Sequence, residues 1–186
     1  MRAKALLGAL IAAHLVPSVA AIGPLRRAVL PRLCGVSDRD HVALTFDDGP
    51  DLASTPQVLG VLAAHNVHAT FFVLGPQLAA HPELGWRIVD DGHELAVHGW
   101  SHAPLLLRGP RATVTDLRRA RDLVTSVGGQ QPRYWRPPHG IPTGAVVATG
   151  TETPAAAPPS GVVFAATTVT WPIAPVFSAV FACVPL

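Results

Sequence analysis

The sequence predicts an α/β domain in which parallel strands alternate with helices, forming an open sheet or a closed barrel. Three observations support this class. Short β-rich runs and helix-length segments alternate between residues 41 and about 150. The 186 residues suffice for one ordinary domain with a core and are too few for two. Polar clusters follow three of the predicted strands, where parallel βα folds carry their functional groups.

The first predicted strand covers residues 42–46, VALTF, and leads into two adjacent aspartates and a Gly-Pro turn. A helix is then expected to begin with Thr55 as its N-cap and Pro56 at its first helical position. Asn66 is its expected end. Three apolar residues would form the buried face of this helix: Val58, Leu59 and Leu62.

The next elements continue the alternation. Residues 67–74, VHATFFVL, form the second predicted strand, and the Gly75-Pro76 pair is expected to close it. A helix is predicted over residues 82–91, followed by a third strand over residues 93–97.

Thr113 and Asp116 resemble a capping box and predict the start of a third helix, which the Gly128-Gly129 pair would end. Residues 133–136, RYWR, are a candidate fourth strand. Helices of this length between strands imply parallel pairing, because a parallel crossover needs a connection of about a dozen residues.

The charge balance argues against a nucleic-acid partner. Charged residues make up 14% of the chain and the net charge is +2. The basic residues are scattered, and no basic patch interleaves with aromatic residues. The two cysteines, Cys34 and Cys183, lack a neighbouring cysteine at metal-binding spacing and are assigned no role.

Residues 1–22 have the layout of a secretory signal peptide. Arg2 and Lys4 precede an apolar run over residues 5–16, and small residues follow. His14 lies within the run and three arginines follow it closely, which instead favours a short N-terminal membrane anchor. Both interpretations predict an exported or membrane-anchored protein and disfavour a cytoplasmic one.

Residues 151–186 form an apolar, Ala/Pro-rich tail that differs from the domain before it. They contain one charged residue, Glu152, six prolines and no helical period. The uncharged residues 161–186 would suit a membrane span, but Pro172 and Pro175 disfavour that interpretation. Alternatively, the reading frame has slipped where the tail begins, and the tail is not the natural end of the domain.

His98 and His102, in HGWSH, form a candidate metal-binding set with one of the two adjacent aspartates. Two histidines four apart lie on one face of a helical turn and can reach one ion. A carboxylate and two imidazoles match an open catalytic zinc site, which leaves the second aspartate free to act as a base. Arg136 would compensate the paired carboxylates. Read alone, DDG is an ordinary turn. The remaining histidines of the domain are interpreted as surface or strand-edge residues: His65, His68, His81 and His93.

The motifs TFDDGPD, HGWSH and RPPHG resemble the first three motifs of the polysaccharide deacetylases, carbohydrate esterase family 4, which share the NodB-homology domain. The motifs occur in the family's order, and ATFFVLG and GHELAVHGWSH also resemble family sequence. The resemblance covers about residues 41–150. It implies a distorted (β/α) barrel of the NodB-homology type that is incomplete here, with its C-terminal strands and helices missing or replaced.

The resemblance implies specific metal ligands. Asp48, His98 and His102 would bind a divalent ion, zinc by preference and cobalt as the alternative. Asp47 would be the catalytic base, with Arg136 orienting it. In such enzymes the metal polarises the acetamide carbonyl and activates water, and the base takes the proton of that water.

The resemblance also implies a place for the oxyanion. The backbone N–H of His139, which follows Pro138, would help to hold the negative oxygen of the tetrahedral intermediate. Family members usually carry Tyr at this position, and donation by the backbone survives the change to His.

The later motifs of the family have no counterpart in the sequence. One is an Asp-Trp segment, and the other supplies a histidine that protonates the leaving amine. No histidine follows His139, no acid follows Glu152, and Trp171 lacks a neighbouring Asp. Loss of a general acid costs about 10²–10⁴ in rate. The domain is therefore interpreted as truncated or frame-shifted after about residue 150.

Three functions remain open on this basis. The first is a metal-dependent hydrolase that removes acetyl groups from N-acetylated amino-sugar polymers such as peptidoglycan or chitin, acting on carbon-nitrogen bonds other than peptide bonds. The second is an inactive remnant or a glycan-binding pseudoenzyme. The third keeps the fold and hydrolyses other carbon-nitrogen bonds. The expected partner is a carbohydrate polymer, and the sequence does not predict an oligomeric state.

Overall fold

The computed structural model describes residues 2–21, 25, 44–141, 143–144, 168–170 and 178–180. Helices and strands alternate through its central part. The helices are α1 Arg2–Leu15, α2 Thr55–Ala64, α3 Gly75–Ala80, α4 Pro82–Asp90 and α5 Pro110–Gly128. The strands are β1 Thr45–Asp47, β2 Thr70–Leu74, β3 Glu94–Gly99, β4 Thr168–Thr170 and β5 Ser178–Val180. Short 3₁₀ turns cover Val16–Ala21, Leu105–Leu107 and Pro138–Gly140.

The central strands form a parallel sheet in the order β1-β2-β3. Thr45 pairs with Thr70 and Thr70 pairs with Glu94, so the first residues of the three strands lie side by side. An isolated parallel bridge between Val97 and Trp135 extends the sheet beyond β3. The strands β4 and β5 form a separate antiparallel pair. The predicted α/β class with parallel pairing is confirmed.

The core lies between the sheet and the helices that cover it. On the helix side, apolar residues recur at helical spacing, which places them on one buried face of α5. Each fully buried aliphatic or aromatic side chain contributes about 1.5–3 kcal/mol relative to an exposed one. The core residues include Leu59, Leu62, Phe71, Val73, Leu78, Ile88, Leu95, Val97, Leu117, Ala120 and Val124.

The predicted capping box at Thr113 and Asp116 is wrong. Helix α5 begins at Pro110, with Gly109 as its N-cap, and Thr113 lies inside the helix. The hydroxyl of Thr113 donates to the carbonyl of Gly109 at 3.2 Å. Proline favours the first helical position because its fixed φ suits a helix and its missing N–H would have no partner there. The carboxylate of Asp116 is thereby left for a different contact.

A further predicted boundary differs from the structure. Ser54, not Thr55, precedes α2, and the Thr55 hydroxyl instead accepts a hydrogen bond from the N–H of Asp51 at 2.9 Å. The predicted end of the second strand at the Gly75-Pro76 pair is confirmed, and the same pair opens α3, since proline is accommodated in the first turn of a helix.

Three of the four predicted strands are confirmed, with different bounds. The first two strands begin later than predicted, and residues 42–43 lie outside the described residues. Strand β3 continues two residues past its predicted end and includes His98. The candidate strand over residues 133–136 reduces to the single bridge at Trp135. His93, interpreted as a surface or strand-edge residue, is buried and accepts a hydrogen bond from the N–H of Ala69.

The structure describes the two predicted terminal segments, residues 1–22 and 151–186, only in part. Helix α1 and the following turn fall within residues 1–22, the predicted signal peptide or anchor. Among the described residues, no helix combines the length and the hydropathy needed to cross a bilayer. Apart from β4 and β5, the apolar tail over residues 151–186 lies outside the described residues, as do Cys34 and Cys183.

Candidate metal centre

The polar motifs of the sequence meet where the parallel strands end. Asp47 is the last residue of β1, and Asp48 follows it with a left-handed backbone (φ 69°). His98 lies near the end of β3, and Arg136 directly follows the bridge at Trp135. Parallel strands bring their carboxyl ends to the same edge of a sheet, so residues 89 positions apart become neighbours.

Asp48, His98 and His102 form a cluster that could hold one metal ion. One potential ligand atom from each lies within 4.8 Å of the others. The Nε2 atoms of His98 and His102 are 3.3 Å and 3.4 Å from Oδ1 of Asp48. That oxygen is buried and has no hydrogen-bond partner. A buried carboxylate oxygen facing two imidazole nitrogens matches the donor set of an open zinc site.

The tautomer of His98 suits metal binding. Its Nδ1 lies 2.9 Å from the backbone carbonyl of Arg136, and the ring is buried. A carbonyl can only accept, so Nδ1 carries the proton and donates to it. The lone pair of a neutral imidazole is then on Nε2, the atom that faces Asp48.

His98 and His102 do not share a helical turn, and that prediction is wrong. His98 belongs to β3, and His102 lies in the loop that follows. The chain changes direction at Gly99, whose φ of +123° favours glycine. This change of direction brings the two imidazole centroids to 5.2 Å.

Burial and neighbouring charges set the protonation of the cluster. Burial acts to raise the pKa of Asp48, but contact with His98, and the charges of His102 and His139, lower it further than burial raises it. Burial lowers the pKa of His102, although the carboxylate of Asp48 opposes that effect. A carboxylate and neutral imidazoles are the forms that bind metals.

Asp47 lies beside the cluster and is paired with Arg136. One guanidinium nitrogen of Arg136 donates to Oδ1 of Asp47, and a second donates to the hydroxyl of Thr45 at 3.1 Å. The guanidinium also lies 4.1 Å from the ring centroid of Phe72. Burial raises the pKa of Asp47, and the positive charges of Arg136 and His98 partly oppose this. The two adjacent aspartates therefore occupy different electrostatic environments.

His139 and Pro138 lie at the rim of the cluster. Pro138 is buried, while His139 is exposed and has a left-handed backbone with φ of 58°. The ring centroid of His139 is 4.5 Å from that of His102. The structure thus brings together all seven residues singled out in the sequence: Asp47, Asp48, His98, His102, Arg136, Pro138 and His139.

Three contributing residues were missed by the sequence analysis. Thr45 and Phe72 hold the guanidinium of Arg136. Thr45 lies two positions before Asp47 on one strand, and that period-two spacing could have identified it, because alternate side chains share a face. Phe72 stands opposite Asp47 in the register of β1 and β2. Asp116 contacts the loop between the two histidines, and no local pattern signals it.

The chain resembles known proteins over its central part. A family model described as polysaccharide deacetylase matches residues 35–157. The chitooligosaccharide deacetylase of Bradyrhizobium sp. (strain ANU 289) is 45% identical over 124 residues, which are 66% of this chain and 56% of that protein. The structure of peptidoglycan deacetylase PdaC from Bacillus subtilis superposes with a TM-score of 0.57 at 34% identity, covering 62% of this chain and 57% of that one.

A third relative is a family 4 acetyl xylan esterase from Clostridium thermocellum, solved in complex with a cobalt ion. It superposes with a TM-score of 0.55 at 32% identity, covering 57% of this chain and 53% of that one. The chain thus spans little more than half the length of each of these three proteins.

Proposed function

The chain belongs to the polysaccharide deacetylase family, and from that membership we propose that it is a metal-dependent hydrolase acting on an acetylated carbohydrate polymer. The proposed reaction removes the acetyl group from N-acetylated amino sugars. Relatives named for chitooligosaccharide and peptidoglycan support this substrate class. The observation that carries the proposal is the buried Asp47–Arg136 pair beside the cluster of Asp48, His98 and His102.

Asp48, His98 and His102 would hold the divalent ion. The partnerless Oδ1 of Asp48 and the Nε2 lone pair of His98 support this assignment. We propose zinc, because one carboxylate and two imidazoles suit it, with cobalt as the alternative. When bound, the ion would polarise the acetyl carbonyl and lower the pKa of the attacking water.

Asp47 is proposed as the base that accepts a proton from that water. Its raised pKa makes it a stronger base than an ordinary aspartate. Arg136 binds one of its oxygens and so fixes the orientation of the carboxylate. Asp47 can then pass this proton to the amine as the carbon-nitrogen bond breaks. One carboxyl group can therefore carry the proton that the leaving amine requires.

The backbone N–H of His139 is proposed to donate a hydrogen bond to the oxyanion formed when water attacks the acetyl carbonyl. The position of this residue beside His102 supports the assignment. Because its side chain is exposed at the rim, its imidazole would contact the sugar ring. Pro138 fixes the backbone immediately before it through its restricted φ.

The experiment is acetate release from N-acetylated chito-oligosaccharide and from peptidoglycan fragments by zinc-loaded protein. We expect release by the wild type and its loss in Asp47→Asn, which keeps the metal ligands. Asp91→Asn is the control, because Asp91 is an exposed aspartate outside the site. Glycan binding by the metal-loaded wild type without acetate release would reject the hydrolase and favour a glycan-binding pseudoenzyme.

Export or membrane anchoring is proposed together with this activity, because peptidoglycan and chitin lie outside the cytoplasm. The cationic start and apolar run within residues 1–22 support it. Fractionation of cells that express the chain tests it, and recovery from the cytoplasm alone would contradict it.

A further inference from the structure

A carboxylate from a distant helix holds the segment between the two histidines of the cluster. Asp116, on α5, accepts hydrogen bonds from the backbone N–H groups of Trp100 at 2.8 Å and Ser101 at 3.2 Å. It also accepts one from the Ser101 hydroxyl at 2.8 Å. The Asp116 side chain is only 8% exposed. These bonds fix the path of the chain, since each of these part-buried amides would otherwise lose its partner.

Arg108 completes the network from the other side of the loop. One of its guanidinium nitrogens donates to Asp116, and another donates to the Ser101 hydroxyl at 2.6 Å. The hydroxyl of Ser101 therefore donates to a carboxylate and accepts from a guanidinium. Hydrogen bonds to ionised groups are about twice as strong as those between neutral groups. The network depends on the negative charge of Asp116, because every neighbour donates to it.

The loop is shaped to admit this carboxylate. A Cβ at Gly99 would lie 3.3 Å from Oδ2 of Asp116, so a larger residue would crowd the contact. Arg119, one turn further along α5, lies 3.4 Å from the ring centroid of Trp100. Helix α5 therefore contacts both the backbone of the loop and the aromatic side chain of Trp100. His102 follows Ser101 directly, and its Nε2 is 3.4 Å from Asp48.

We propose that Asp116 is a positioning residue of the metal centre. It holds the backbone of residues 99–101 so that His98 and His102 face Asp48 together. The inference rests on the proposed function only in taking the ligand to be a divalent metal ion. Loss of a group that orients a metal ligand typically lowers metal affinity about 10–100-fold.

The test compares Asp116→Asn with Asp122→Asn, the same change at an exposed position of the same helix. Zinc affinity is measured by competition with a chromophoric chelator, and the geometry of the site by the visible absorption of bound Co²⁺. We expect Asp116→Asn to bind zinc about 10–100-fold more weakly and to alter the cobalt spectrum. Asp122→Asn should match the wild type in both measurements.

Val124→Ala separates positioning from general destabilisation, since Val124 is buried on α5 among core residues. It should lower stability and leave the cobalt spectrum unchanged. If Asp116→Asn does not fold, Ser101→Ala removes only the hydroxyl of the network and should weaken zinc binding to a smaller degree. The proposal would be overturned if Asp116→Asn had the zinc affinity and the cobalt spectrum of the wild type. If Asp116→Asn does not fold, the same result in Ser101→Ala would overturn it. So would the same spectral change in Val124→Ala.

Acetate release is not part of these measurements. A chain that binds zinc tightly through this loop and releases no acetate would reject the proposed hydrolase. The conclusion about Asp116 would remain.

Discussion

The guanidinium of Arg136 donates a hydrogen bond to the carboxylate of Asp47, and the two side chains are only 9% and 6% exposed. The backbone carbonyl of Arg136 accepts the hydrogen bond of His98 Nδ1. One residue thus contacts both the proposed base and a proposed metal ligand. The geometry of the two parts of the site is coupled through Arg136.

Replacing Arg136 with Met should destabilise the fold and abolish acetate release. The change leaves Asp47 buried without its cation, and breaking a buried pair costs about 3–5 kcal/mol. The measurement is the free energy of unfolding in urea. Arg133→Met is the control, because the Arg133 side chain is half exposed and loss of its pair with Glu94 should cost less than about 1 kcal/mol. Equal losses in the two variants would contradict the buried pairing.

Replacing His98 with Gln should remove stoichiometric zinc binding. The substitution takes away the Nε2 lone pair that faces Asp48. Zinc that binds the folded wild type should also stabilise it, by about 2.7 kcal/mol at a concentration 100 times the dissociation constant. The measurements are metal content after gel filtration and the zinc-dependent shift in unfolding free energy. His81→Gln, at a partly exposed histidine paired with Glu83, should retain both properties.

The residue types of the site were predictable, and the way the chain assembles them was only partly so. Asp48 and His98 could be identified because rare polar clusters end predicted parallel strands, whose carboxyl ends must converge. The path from His98 to His102 could not, because the same four-residue spacing fits a helical turn and a strand followed by a loop. Asp116 could not be identified, because the backbone N–H groups that donate to it lie 15 or 16 positions away in sequence. A local pattern such as a capping box reports only neighbours along the chain.

Stability should fall as the pH drops below the ordinary pKa of histidine, in part because of His93. Burial lowers the pKa of His93 from 6.5, and the nearby His68 adds to this while Asp91 opposes it. Its Nδ1 accepts the N–H of Ala69 at 3.3 Å, which requires an unprotonated nitrogen. The contribution of His93 to the free energy of unfolding is therefore complete above about pH 6.5. It is lost as the pH falls towards and through the lower pKa that His93 has in the folded protein.

The measurement is the unfolding free energy of wild type and His93→Gln from pH 7.5 to 5. The difference between the two proteins should shrink as the solution is acidified, because only the wild type must take up a proton at this position on unfolding. Comparing the two cancels the titration of the other histidines. A difference that is constant over this range would contradict the prediction.

Gly75 should not tolerate a side chain, because the ring of Trp100 packs directly against it. A Cβ at Gly75 would lie within 3.0 Å of three atoms of that ring. The ring cannot move away freely, since the guanidinium of Arg119 lies against it. Gly75→Ala should therefore destabilise the fold by about 1–3 kcal/mol, as overpacking of a close contact does. Because Trp100 stands between His98 and His102, the variant should also bind zinc more weakly.

Gly60→Ala is the matched control, since no atom lies within 4 Å of a Cβ built at Gly60 on α2. That change should stabilise the protein by about 0.5–1 kcal/mol, because glycine inside a helix loses more backbone entropy on folding than alanine does. Urea unfolding and zinc competition on both variants provide the comparison. We expect Gly75→Ala to lower the free energy of unfolding and Gly60→Ala to raise it. Zinc affinity should fall only in Gly75→Ala. Stabilisation of both variants would mean that Trp100 is not packed on Gly75, and the segment between the two histidines would then be held from the α5 side alone.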